Sequence, residues 1–325
     1  CATNQQSDIQ YMTFERKNIA AMQGYSYGEQ PQDGNTVKLN TNESPYPPSP
    51  NVAATLQSFD VNALRIYPNA TAERLREQIA ALHGLTRDNV VVTHGGDEGL
   101  RLALTTYVEP GASFGMAEPS YSLYPVLAQI QNAKVQRVKL EDNWQLPPDA
   151  AAQWNSANTQ LTCIVNPHAP SGSLASTAEI AALAEQLNGL LLLDEAYADF
   201  VDPEQRYNSA PLIGEHGNLL ILRTFSKGYG LAGLRLGYLL GPAHLIAPIT
   251  EKTRDSYNID AISQALGSAA ITDQPYARDV WSKVREHRKA LVAGLAQLGF
   301  SVPVSQTNFV LAQAPTTASA KKLYQ

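Results

Sequence analysis

The sequence predicts an α/β fold: a mostly parallel sheet covered by helices, followed by a small α+β domain. Three observations carry this. Short apolar runs recur at Val90–Thr93, Ser113–Ala117, Lys134–Leu140, Thr162–Val165, Leu190–Leu193, Leu219–Leu222 and Arg235–Leu240. Several are continuously hydrophobic rather than alternating, the pattern of strands buried on both faces. Helical segments separate most of them, the rhythm of strand, crossover and parallel strand. The 325 residues, 44% hydrophobic and 17% charged, give ample core for about two domains.

In chain order, residues 1–12 read as a flexible extension, with Met12 as a possible native start and Cys1 less readily a lipid-bearing terminus. Residues 13–60 form an arm and part of the small domain. Lys38–Tyr46 reads as a short strand breaking into a loop, and 51–59 as a helix capped by Asn51. The large domain spans 61–258. Thr71 is expected to cap a helix to His83, with Leu75, Ile79 and Leu82 on one face and Gly84 as its stop. Further helices are expected after Gly95, over Tyr121–Ile130 and over Ser176–Leu187, with 141–159 as polar connection. Arg235–Leu240 follows its predecessor too closely for a crossover, which predicts an antiparallel strand. Residues 259–325 are expected to be a small C-terminal domain lacking its last elements. It contains a helix over Tyr276–Leu298, packed through Val280, Trp281, Val284, Ala290, Leu291 and Leu295, then strands at Ser301–Val304 and Asn308–Ala312.

The net charge of −6 gives no electrostatic footprint for nucleic acid and no polybasic patch for a membrane. No run of 18 apolar residues appears, so a cytoplasmic protein is expected. Two cysteines, Cys1 and Cys163, make neither a disulfide framework nor a metal cluster.

One stretch organises the rest: Asn218–Gly241, two apolar runs around a polar turn with Lys227 and a glycine-rich passage with Arg235. An isolated lysine here would be a solvated loop residue. The run Arg223-Thr224-Phe225-Ser226-Lys227, with Gly230-Leu231-Ala232-Gly233-Leu234-Arg235, instead resembles the cofactor-lysine segment of fold-type I aminotransferases, which use pyridoxal 5'-phosphate. Its longer form is similar to the histidinol-phosphate aminotransferase branch, except that Gly228 replaces the usual alanine. The resemblance covers roughly residues 20–325 and implies the PLP-transferase fold, with a seven-stranded sheet.

Residue by residue, the resemblance implies the following. Lys227 forms an imine with the cofactor and moves the proton. Asp194, at the end of Leu190–Leu193, is by position either a helix cap or a ligand contact; the resemblance makes it the partner of the protonated pyridine nitrogen. Tyr197 and Asn166 bond the ring 3-oxygen. Gly96, Asp97 and Glu98 form a strand-to-helix turn that, with Arg235 and Ser226, holds the phosphate. Tyr121 stacks on the ring. Tyr67 reaches the active site of the partner subunit in a homodimer. Arg223 belongs to the signature, and Tyr25, Asn42, Arg223 and Asn258 are expected on the substrate side. Asn166-Pro167-His168-Ala169-Pro170-Ser171-Gly172 keeps the family's asparagine, prolines and glycine; His168 is expected to shape the turn.

The implied reaction moves an amino group between L-histidinol phosphate and 2-oxoglutarate in histidine biosynthesis. Relatives acting on aromatic amino acids, and decarboxylases of amino-acid phosphates, share nearly all these motifs. A non-catalytic binding protein of the same fold is a third reading. The family's carboxylate-binding arginine has no match after Arg288 and is expected beyond Gln325.

Overall fold

A computed structural model describes residues 14–31, 36–315 and 319–324; the expected extension, residues 1–12, lies outside them. Seven strands form one sheet: β1 (Val90–Thr93), β2 (Ser113–Glu118), β3 (Lys134–Lys139), β4 (Thr159–Val165), β5 (Leu190–Asp194), β6 (Leu219–Thr224) and β7 (Gly237–Leu240). Their order is β1-β7-β6-β5-β4-β2-β3. As expected, β7 is antiparallel to both neighbours, and the other pairs are parallel.

The helices are α1 (Lys17–Ala20), α2 (Pro50–Gln57), α3 (Glu73–His83), α4 (Gly95–Tyr107), α5 (Leu123–Ile130), α6 (Ala150–Ser156), α7 (Thr177–Gln186), α8 (Ala243–Pro248), α9 (Ala261–Thr272), α10 (Gln274–Gln297) and α11 (Ala320–Tyr324). Successive strand residues face opposite sides of the sheet. Val91, Phe114, Cys163, Leu192, Leu220 and Leu239 pack against α4, α5 and α8. Val90, Ile164, Leu191, Leu193, Ile221 and Leu240 pack against α3, α6, α7 and α9. Leu191, Leu192 and Leu193 are all fully buried, each contributing about 1.5–3 kcal/mol of burial free energy. No described helix is long and apolar enough to cross a membrane.

Several local expectations are corrected. Lys38–Tyr46 contains no strand; Lys38 instead turns back to Glu43 at 2.7 Å. Helix α2 is capped by Ser49, not Asn51, because Pro50 sets the first helical residue and the Ser49 hydroxyl accepts from the Asn51 N–H. Thr71 does not cap α3; Asn69 Oδ1 accepts from the Thr71 and Glu73 N–H groups. The connection 141–159 holds α6, anchored by the fully buried Trp154. In α10, Val280 and Val284 are buried, whereas Leu291 is 52% exposed.

The two late strands are absent. Among the described residues, one isolated bridge, Ser301 to Gln313, stands in their place. Ser305 and Thr307 hydroxyls bond the Phe309 carbonyl, and the Gln306 N–H bonds the Gly172 carbonyl. Local side-chain bonds thus replace a ladder, and Pro303 has no N–H to give one.

Candidate active site

The carboxyl ends of β1, β4, β5 and β6 lie at one edge of the sheet. Because β7 is antiparallel, its first residue lies at that edge too, which brings Arg235 there from the opposite chain direction. This is where open α/β sheets bind ligands. Gly237 makes the approach possible: a Cβ there would stand 2.8 Å from the Gly95 carbonyl carbon and 3.0 Å from the Gly96 nitrogen. Arg235 itself is left-handed, at φ +55°, an uncommon conformation for a side-chain-bearing residue. This is why β7 begins at Gly237 and not, as expected, at Arg235.

Strand alternation sets which way each end points. Leu192 faces the α4–α5 layer, so Asp194 does as well. There the Tyr124 hydroxyl donates to Asp194 Oδ2 at 2.7 Å, and the Ala196 N–H donates to Oδ1 at 3.0 Å. Burial pushes the Asp194 carboxyl up to about 6, against the lowering effect of those two bonds. Asn166 follows Val165, which faces the α4–α5 side, and so turns to the other layer. Its amide donates to the Ala175 carbonyl at 3.0 Å and the Tyr207 hydroxyl at 2.9 Å, and accepts from the Ala175 N–H at 2.8 Å.

Lys227 sits in the turn after β6 and donates to the Thr41 carbonyl. Burial holds its amine below the usual lysine range, opposed by Glu43 and aided by Arg235 and Lys38. Ser226, buried beside it, accepts from Thr224 Oγ1 at 2.9 Å. Gly95 opens α4, with Gly96, Asp97 and Glu98 in its first turn. Glu98 folds back to accept from the His94 N–H, and also from Asn258 Nδ2 at 3.0 Å. Asp97 pairs with Arg235 at 3.2 Å. Asn258 is therefore tied to the α4 end, also donating to the Val92 carbonyl at 3.0 Å.

The N-terminal arm closes over this edge. Asn42, at φ +53°, donates from Nδ2 to the Tyr197 hydroxyl at 3.2 Å. Asn308 Nδ2 in turn donates to the Asn42 carbonyl at 2.9 Å, and Phe309 meets the Tyr197 ring edge-on at 5.0 Å. Tyr25 lies 6.1 Å from the Tyr121 ring, which is 5.5 Å from that of Tyr124. Tyr67 stands apart, 77% exposed and stacked on Tyr257 at 4.5 Å.

Arg223 does not face this space with the substrate-side residues. Its guanidinium is held by Glu195 at 2.8 Å and Asp199 at 2.6 Å. Burial pulls it down, but the two carboxylates outweigh burial and hold it well above its ordinary range. Glu195 also accepts from Tyr207 at 2.6 Å and from Ser209. Gly228 backs onto this cluster: a Cβ would lie 2.1 Å from Asp199 Oδ2. The glycine is thus a steric accommodation and not merely a looser turn. His168 is fully engaged, by Ser171 at 2.8 Å and the Pro119 carbonyl at 3.0 Å, in the turn it was expected to shape. A cavity of about 310 Å³ beside α6 and α7 reaches Asn166, His168 and Ala175 but neither Asp194 nor Lys227.

Sequence reasoning missed Tyr124 beside Asp194, Tyr207 beside Asn166 and Asp199 beside Arg223. The available signal for the first was its place three residues after Tyr121, although Tyr121 itself precedes α5, which begins at Leu123 and not at Tyr121 as expected. The other two carry no local pattern.

A sheet with these groups at its carboxyl edge defines a class of cofactor-dependent group-transfer enzymes. The sequence profile of the aminotransferases of class I and II matches residues 34–325, and the chain belongs to that family. It is 40% identical over 311 residues to histidinol-phosphate aminotransferase 1 of a Nostoc species, covering 95% of this chain and 86% of that protein. The histidinol-phosphate aminotransferase of Rhodopirellula baltica is 40% identical over 301 residues, covering 92% and 81%. Among solved structures, histidinol-phosphate aminotransferase from Sinorhizobium meliloti in complex with pyridoxal-5'-phosphate superposes with a TM-score of 0.77 at 27% identity, covering 83% of this chain and 73% of that one.

Proposed function

We propose that this chain is a pyridoxal-phosphate-dependent transaminase that exchanges an amino group between L-histidinol phosphate and 2-oxoglutarate. The observation that carries the reading is a buried acid and a half-buried amine at the ends of neighbouring strands. Asp194 ends β5 and Lys227 follows β6, yet among the described residues neither forms a salt bridge. The substrate assignment draws its support from the names of the relatives.

The residues present fit the cofactor. Asp194 is a buried acid whose chain-borne donors are neutral, so a pyridinium cation would offset its desolvation. The free N–H groups opening α4, with the Arg235 guanidinium, suit a phosphate. Tyr197 has a hydroxyl for the ring oxygen, and Ser226 offers another at the phosphate end. The Asn166 amide would serve the ring oxygen by giving up one of its present bonds. Tyr121 supplies an aromatic face. When bound, pyridoxal phosphate supplies an aldehyde and an electron-withdrawing ring for amino transfer.

The chain's own work is then acid–base and electrostatic. Burial lowers the Lys227 pKa and so favours the uncharged amine relative to a free lysine, the form that attacks a carbonyl carbon and takes a proton from the donor's α-carbon. Asp194 in its anionic form stabilises positive charge at the far end of the ring. Asn42, Tyr25 and Asn258 line or brace the substrate side, and Thr41 to Asn42 shields the lysine from water. We place the enzyme in the cytoplasm as a homodimer, in which the exposed Tyr67 enters the partner's site.

The test is to load the purified protein with pyridoxal phosphate and add L-histidinol phosphate without an acceptor. The visible absorbance should bleach, then return on adding 2-oxoglutarate. A visible band that ignores L-histidinol phosphate but responds to phenylalanine or tyrosine would retain the enzyme class and overturn the substrate.

A further inference from the structure

We infer that Tyr124 is a positioning residue for Asp194: its hydroxyl fixes the plane of the carboxylate and favours the anionic form. The inference rests on the proposed role of Asp194 as partner of a cationic ring nitrogen.

Helix α5 presents Tyr124 to the sheet, 1% exposed, seventy positions before its acceptor. The bond to Oδ2 is 2.7 Å, and it is the side-chain bond that Asp194 receives. The Ala196 N–H holds Oδ1. One donor on each oxygen leaves the carboxylate no free rotation about its last bond. The remaining lone pairs then have a fixed direction.

Charge matters as much as orientation. The titratable groups facing Asp194 are Tyr124 from α5, Asp97 from α4 and Glu195 beside it, with Tyr121, Tyr197 and the Cys163 thiol close by. None of these is a cation. Burial and the two neighbouring carboxylates all favour the neutral acid, and the Tyr124 O–H opposes them. Burial also holds the Tyr124 hydroxyl well above its ordinary range, so it remains a donor wherever the enzyme works. A hydroxyl that cannot ionise beside a carboxylate that must is a one-way arrangement. Phenylalanine would fill the same space and lose only the donor.

The experiment measures pyridoxal phosphate affinity by titration, and the pH dependence of the bound cofactor's absorbance, in wild type and Tyr124→Phe. Loss of one hydrogen bond to a buried charge should weaken binding roughly 10- to 100-fold. The absorbance transition should also move, because the carboxylate accepts a proton more readily. The same substitution made in Asp194→Asn should have little further effect on either readout, since the acceptor charge is already gone. Equal affinity and an unmoved pH profile in Tyr124→Phe overturn the inference. So do losses that simply add in the double variant, which would mark Tyr124 as packing only. If Tyr124→Phe folds poorly, the affinities of Asp194→Asn with and without it still separate a lost donor from lost packing. A wild-type protein that takes up no pyridoxal phosphate would sink the reading of the site itself, and that failure appears before any variant is made.

Discussion

Asp194 and Glu195 are adjacent in sequence and buried to almost the same degree, 4% and 2% exposed, yet the protein treats them in opposite ways. Alternation sends Asp194 to the α4–α5 face, where its donors are a phenol and a backbone amide. Glu195 joins Asp199 around Arg223, with Tyr207 and Ser209 completing its bonds. One carboxylate is neutralised within the chain. The other is left with a desolvation penalty that only a cation from outside can remove. A buried charge paired internally reads as architecture, and a buried charge served only by neutral donors reads as function.

The largest effect should come from the counterpart of Asp194 across the strand boundary. Lys227→Ala removes the only amine the turn presents to this edge. Turnover of L-histidinol phosphate by the loaded enzyme should fall by several orders of magnitude, with the fold intact by circular dichroism. Retention of the wild-type rate would break the functional half of the comparison.

Exchanging the two roles sharpens it. Arg223→Met leaves Glu195 and Asp199 buried without their cation, which should cost about 3–5 kcal/mol in denaturant unfolding of the loaded enzyme. Asp194→Asn removes a charge with no internal cation, so the cofactor-free protein should lose little stability or gain some. Its turnover should nevertheless fall at least a hundredfold. If Asp194→Asn unfolds as readily as Arg223→Met, the two carboxylates are not different in kind.

Proton linkage supplies an independent check. The Asp194 carboxyl rises from 3.8 to about 6 in the folded cofactor-free protein, so between those pH values the folded state binds more protons than the unfolded one. Stability from this group should therefore fall as pH rises from about 4 to 6, by roughly 3 kcal/mol at most, and stay lower above that. Denaturant unfolding of the cofactor-free protein at intervals across this window, beside Asp194→Asn, reads the difference. A flat difference between the two proteins would contradict the burial argument.

The candidate site was legible as a candidate because its charges interrupt apolar runs. Asp194 ends four leucines, and Lys227 with Arg235 lies between two buried strands. Nothing local could reveal what Arg223 does, since Glu195 and Asp199 reach it only once β5 and β6 pair. Tyr207 lies 41 residues from the amide it touches, and Tyr124 lies 70 from its carboxylate. Helix α6 went unread because it is short and bounded by polar residues, its burial resting on Trp154. The two late strands failed for the converse reason: their residues are strand-formers, but the hydroxyls of Ser305 and Thr307 claim the local backbone first.

Gly228 tests how closely the two regions are joined. It follows Lys227 directly and has the Asp199 carboxylate against its Cα. An added methyl cannot be met by a flexible side-chain end, because Asp199 is short, buried and held by Arg223 at 2.6 Å. Either the carboxylate swings off the guanidinium or the lysine turn lifts. Gly228→Ala should cost about 1–3 kcal/mol by overpacking. If the carboxylate yields, Gly228→Ala in an Arg223→Met background should cost less than it does alone, because that ion pair is already gone. If the turn yields, the two losses should add, and the kcat of Gly228→Ala should fall with Lys227 displaced. Additive losses with an unchanged kcat would mean that the ion-pair cluster and the Lys227 turn are mechanically separate, despite touching.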